Sequence, residues 1–230
     1  YREPPREDRE LGNQGPLAYF KIFQGFCQQP GMTTWLLILG LYAAANSLST
    51  TMFTPLLVDA GLSLPEIGSL LGVFGTGVSV VGTLAAGGLI PRLGRKRSLL
   101  TASGIATLSM LAYFLPTLGL TQPAVLYGVV GLSFFTSGLF VTVSFTIMMD
   151  KSRLATAGTD YTVQTSLIGL SGVLAAAASG VLAAAIGYRG VFTVSLLLLL
   201  GGMLLTLQRF TSLHDLQSKQ AKEHITEQTS

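Results

Sequence analysis

Charge is what this sequence has least of. Only 11% of its residues are Asp, Glu, Lys or Arg, against roughly 25% in an ordinary soluble domain. The scarcity excludes a water-soluble globule, because too few charges remain to cover a surface while 49% of the residues are hydrophobic. Cysteine occurs once, at Cys27, which excludes an internal disulfide and a thiolate metal cluster. The two histidines, His214 and His224, lie near the end of the chain. No G-x-S-x-G, H-E-x-x-H or phosphate-loop motif is present, so nothing points to an enzyme or to a bound cofactor. The net charge of +3 comes from cations beside apolar runs, with no separate basic face of the kind nucleic acid requires.

What is there is a series of long uncharged runs. Six can be marked: Thr34 to Val58, Ile67 to Ile90, Ser98 to Pro116, Pro123 to Met149, Tyr161 to Ile186 and Gly190 to Gln208. At about 1.5 Å per residue each can cross a hydrocarbon core of about 30 Å, and segments of this length in lipid must satisfy their backbone as helices. The expected fold is all-α and transmembrane, a six-helix bundle over residues 34–208, in contact with the lipid bilayer.

The flanks differ in character. Residues 1–15 hold three Arg, four acids and two Pro, too little apolar surface to order, and read as a linker. In residues 16–30, Leu17, Phe20, Phe23 and Cys27 recur at helical spacing opposite Lys21, Gln24 and Gln28, until Pro30 and Gly31 end the pattern. This is an amphipathic helix, lying on the membrane interface or docked on the bundle as a linker helix. Residues 209–230 form a polar tail. The chain opens at Tyr1 with no methionine and no apolar leader, which reads as one half of a longer protein.

Loop charges set the orientation. Arg92, Arg95, Lys96 and Arg97 cluster in one short turn. They fall on the same side as the linker, the stretch Asp150 to Asp160 with Lys151 and Arg153, and the tail. Asp59, Glu66 and Arg189 fall on the other side. The positive-inside rule makes the first side, and both termini, cytoplasmic.

Small and polar residues sort the spans further. Glycines crowd the second and fifth, where close helix contacts are expected, while Leu196 to Leu200 make the sixth read as lipid-facing. The first and fourth are the most polar. Tyr42, Asn46, Ser49 and Phe53 share one face of the first, and Ser133, Ser137, Phe140 and Ser144 one face of the fourth. These are the candidate substrate contacts, with Asn46 near mid-depth. The other reading of the serines is that they bond helix to helix or to their own carbonyls. Spans one and four match in polarity and two and five in glycine, so the bundle reads as two three-helix repeats, the second inverted because three is odd.

The turn Gly87-x-Leu89-x-Pro91-Arg92-x-Gly94-Arg95-Lys96 resembles the loop motif G-x-L-x-D-R-x-G-R-K of the major facilitator superfamily, with Pro91 where the motif has its acid. The resemblance covers about residues 16 to 209. It implies helices seven to twelve of a twelve-helix carrier, and hence a partner in the missing N-terminal half, a small-molecule substrate and possible coupling to a proton. It also implies that Gly87, Arg92, Gly94, Arg95 and Lys96 belong to a cytoplasmic gating loop. With Pro91 replacing the acid, the turn is expected to lack the charge pairing of the intact motif and to serve mainly in orientation. The stretch Asp150 to Arg153 and Ala157 to Gln164 is similar to the corresponding loop in bacterial siderophore permeases and, more distantly, muropeptide permeases. That likeness implies the bacterial inner membrane and siderophore uptake. A muropeptide or drug carrier is the alternative, and a membrane scaffold without a transport cycle is the alternative of a different class. From the residues themselves, Asp160 is expected as the N-cap of the fifth span, and Asp150 and Arg153 as a local ion pair.

Overall fold

The computed structural model describes residues 23–210, and these are all-helical with no strand among them. Four helical elements are long and apolar enough to cross a membrane: α1 Met32–Asp59, α2 Leu64–Thr117, α3 Pro123–Lys151 and α4 Leu154–Arg209. The protein is an integral membrane protein. The linker, the first part of the expected 16–30 helix and the tail lie outside the described residues. Residues 23–27 are helical, with Phe26 fully buried and the Arg153 guanidinium 5.9 Å from its ring centre.

α1 and α3, with 28 and 29 residues, are each about 42 Å long and suit one crossing. α2 and α4 have 54 and 56 residues, too long to cross once. Each is broken at a single glycine: Gly94 at φ 75°, ψ 171° and Gly187 at φ 69°, ψ 175°. That region of backbone space is open essentially only to glycine. Contacts show what the breaks do. Along the first arm of α2 and into the turn at its end, Phe74, Gly82 and Arg95 meet Tyr127, Phe135 and Asp150 of α3 in ascending order. Along the second arm Ser109 returns to Ser133. The chain therefore doubles back at Gly94. At Gly187 it does the same: Gln164 and Ser171 lie against Trp35 and Gly40 of α1, Tyr188 reaches Asp59, and Gly202 and Phe210 return to Tyr42 and Trp35.

Backbone contact through glycine holds the pairs together. A Cβ at Gly82 would collide with the Phe135 carbonyl, and one at Gly138 with the Ser79 carbonyl. Close approach of this kind is how helices gain packing energy in lipid, where no hydrophobic drive operates. On the other pair, Gly172 faces Ser47 Oγ and Gly40 faces Ser171 Oγ. Other glycines of the first arms, Gly72, Gly77, Gly87, Gly169 and Gly180, have nothing within 4 Å of an added Cβ. Beside them Val73, Leu84, Val173 and Val181 are strongly exposed. In the second arm of α4, Leu197 is exposed but Leu199 is buried, so this stretch presents only one face outward.

Candidate functional site

A cavity of about 350 Å³ lies between α1 and α3, with Ser109, Met110 and Tyr113 of the second arm of α2 and Ile168 and Leu199 of α4 completing its wall. Of the residues singled out from the sequence, Tyr42, Asn46, Ser133, Ser137, Phe140 and Ser144 line it. Tyr42 and Phe140 bring their rings to 4.6 Å across it. Tyr42 is otherwise buried and shares a 2.5 Å hydrogen bond with Ser103. Asn46 exposes its amide.

Ser49 and Phe53 do not belong to this lining. Ser49 is fully buried and donates to the Ala45 carbonyl at 3.0 Å and to Met110 Sδ at 3.0 Å. Phe53 packs edge-on against Tyr113 at 4.7 Å. Helical spacing puts all four residues on one side of α1, but that side spans both the cavity and the seam with the second arm of α2. The polar side chains also divide. Ser133 donates to the Val129 carbonyl, Thr136 to Leu132 and Thr50 to Asn46, so these hydroxyls satisfy their own helix. Ser144 does not: its Oγ is buried without a partner. Phe134 and Phe145 complete apolar walls that sequence pattern alone did not assign to the site.

At one end of the bundle, the last turn of α3 and the loop after it distribute their charges to three elements. Asp150 accepts from Arg95 Nε at 2.6 Å. Lys151 Nζ sits 5.9 Å from the Trp35 ring centre and 5.2 Å from that of Phe210, within cation–π range. Arg153 donates to both oxygens of Asp160, at 2.7 Å and 2.8 Å, and its own backbone N–H adds a third bond at 3.0 Å. That hydrogen bonding holds the Arg153 guanidinium pKa above its ordinary value. Two expectations are corrected here. Asp160 is not the N-cap: after a short 3-10 turn at Leu154–Thr156 the α-helical part of α4 begins at Ala157 with Thr156 as its N-cap, and Asp160 lies inside its first turn, fully buried. The local Asp150–Arg153 pair does not form, because Arg153 turns forward to Asp160 and Asp150 crosses to Arg95. The turn at Arg92 to Arg97 is thus charge-paired despite Pro91. The acid comes from α3, while Arg92 and Arg97 remain exposed. Gly87 lies on the exposed side of the helix before the turn, and Lys96 is half-buried beside Arg95.

The opposite end is tied by Tyr188, which donates to Asp59 at 2.5 Å, and by Arg189, which donates to the Thr117 carbonyl at 2.7 Å. Among the described residues, the loops separated by charge in the sequence therefore gather at the two ends of the bundle.

The described residues form an apolar helical bundle with a polar-spotted cavity and with its ion pairs at the ends, an arrangement that suits a membrane carrier. The model of the Major Facilitator Superfamily matches residues 1–176, and the chain belongs to that superfamily of membrane transporters. Among the described residues no cluster of His, Cys, Asp or Glu could hold a metal ion.

Proposed function

We propose that the chain is the C-terminal half of a secondary active transporter that moves a polar solute by alternating access, with the α1–α3 cavity as its share of the substrate site. One observation carries this reading: the cavity lies mid-bundle, between the two most polar helices, and holds an exposed amide and an unpartnered hydroxyl. Apolar helices that served only as a scaffold would gain nothing from keeping those groups there.

In this reading each arm of α2 and α4 is one crossing, giving six spans in two inverted repeats. The support is internal correspondence. Gly94 and Gly187, after the second and fifth spans, adopt the same backbone geometry. Glycine contacts join span one to span five and span four to span two, the same pair under exchange of the repeats. The open glycine faces around Gly77 and Gly180 then receive the helices of the N-terminal half. The end bearing Arg92, Arg95, Lys96, Arg97 and Lys151 is cytoplasmic, and the Arg95–Asp150 pair closes that side in one state of the cycle. The membrane is a bacterial inner membrane.

No charged residue lines the cavity among the described residues, so a coupling proton would titrate in the other half or at a loop acid. Siderophore uptake is the substrate reading we carry forward from the loop at Asp150 to Gln164. Much of that loop is committed to packing, so it supports the architecture more than the cargo. Uptake into liposomes by the purified intact carrier tests the proposal. Saturable accumulation of a siderophore, abolished by Asn46→Leu, is expected; absence of flux for siderophore, muropeptide and drug candidates alike would overturn it.

A further inference from the structure

The chemistry of the cavity wall restricts what can rest against it. Its described lining carries no charged side chain. The charged groups on the elements around it are held at the ends, Arg95 with Asp150 and Arg153 with Asp160 at one, Asp59 with Tyr188 and Arg189 with Thr117 at the other. A carboxylate or ammonium seated there would be desolvated with no counter-charge, a cost far above that of burying a hydrogen-bonded neutral group. The wall is apolar instead, with aromatic rings from the Tyr42–Phe140 pair, Phe134 and Phe145 beside aliphatic side chains such as Ile168 and Leu199. Within this surface Ser144 is only 3% exposed, and its Oγ has no hydrogen-bond partner. Thr142 and Thr146, on the same helix, return their hydroxyls to the carbonyls four residues back at 3.0 Å and 2.8 Å. Ser144, a residue of the cavity wall, stands apart from that pattern with its hydrogen-bonding capacity unused, and Asn46 adds an amide that can both donate and accept.

We propose that the part of the solute seated against this half is uncharged: an aromatic body carrying a neutral group that donates and accepts, of the carboxamide kind, with Ser144 as one of its hydrogen-bond partners. This rests on reading the cavity as a substrate site, yet it is tested by binding alone. A carrier that binds as described but shows no flux would sink the transport reading and leave this one standing.

The test uses the intact carrier in detergent and three probes matched in size, namely benzamide, benzoate and benzylamine, titrated by calorimetry at pH 7. Saturable binding of benzamide is expected. It should weaken about five- to tenfold in Ser144→Ala, the loss of one hydrogen bond, and recover in Ser144→Thr. Thermal unfolding of the unliganded Ser144→Ala protein, measured beside it, should be unchanged or raised, because an unsatisfied hydroxyl has been removed. The proposal is overturned if benzamide does not bind, or if its affinity is indifferent to both Ser144→Ala and Asn46→Leu. It is equally overturned if benzoate or benzylamine binds with an affinity that depends on Ser144.

Discussion

Gln164 is fully buried and commits both ends of its amide. Its Oε1 accepts from Trp35 Nε1 at 2.7 Å, and its Nε2 lies 3.2 Å from the Met148 and Asp160 carbonyls. It thereby joins α1, α3 and α4 at the end where Lys151 covers Trp35. Gln164→Leu leaves the Trp35 N–H without its acceptor and should cost about 1–3 kcal/mol, read as a lowered unfolding temperature of the purified carrier. The two salt bridges at this end should behave differently. Arg95 and Asp150 keep 39% and 34% of their side-chain surface exposed, so Arg95→Ala should change stability by less than about 1 kcal/mol and act instead on the transport cycle. Asp160 is completely buried, and Arg153→Ala strands its carboxylate. A loss of about 3 kcal/mol, at the low end for a broken buried pair because Arg153 is itself partly exposed, is expected in the same unfolding assay. Equal losses in the two variants would show that burial does not separate their roles. The sequence made both charged stretches visible but not their pairing, since neighbours along the chain are not neighbours once a turn sends Arg153 forward and a helix end brings Asp150 to Arg95.

The elements owe their shape to a few glycines. At Gly94 and Gly187 any side chain would be strained by a positive φ with extended ψ, so Gly94→Ala should lower the yield of folded carrier in fluorescence-detected gel filtration. Gly82 serves differently, by letting α2 touch the Phe135 carbonyl. Gly82→Ala must push two helices apart and should cost about 1–3 kcal/mol or more. Gly104→Ala, with nothing within 4 Å of the new methyl group, should be neutral or slightly stabilising. Similar losses in both would remove the case for a glycine-mediated crossing. The clustering of glycine in these helices was legible in the sequence as a sign of close packing. Which glycine touches a helix and which stays open was not, because that depends on the helices' relative rotation, and small residues recur around the whole circumference. The apolar runs ended where the helices break, since Arg95, Lys96 and Arg97 stand beside Gly94 and Tyr188 and Arg189 beside Gly187. Asn46 and Ser144 reached one cavity because polarity on α1 and α3 has a face, while Ser49 and Phe53 lie on the edge of that face and turn into the protein.

For the whole molecule, the claim is that the α1–α3 cavity opens in turn to the two sides of the membrane. Cys27 is this chain's only cysteine and can be replaced by serine, leaving Ala43→Cys on the cavity wall as its single thiol in an intact carrier cleared of other cysteines. The decisive measurement is labelling of that thiol by a membrane-impermeant maleimide, added in turn to right-side-out and inside-out membrane vesicles. Alternating access requires labelling from either side, with an excess of bound solute slowing both. Labelling from one side only, with or without solute, would contradict it.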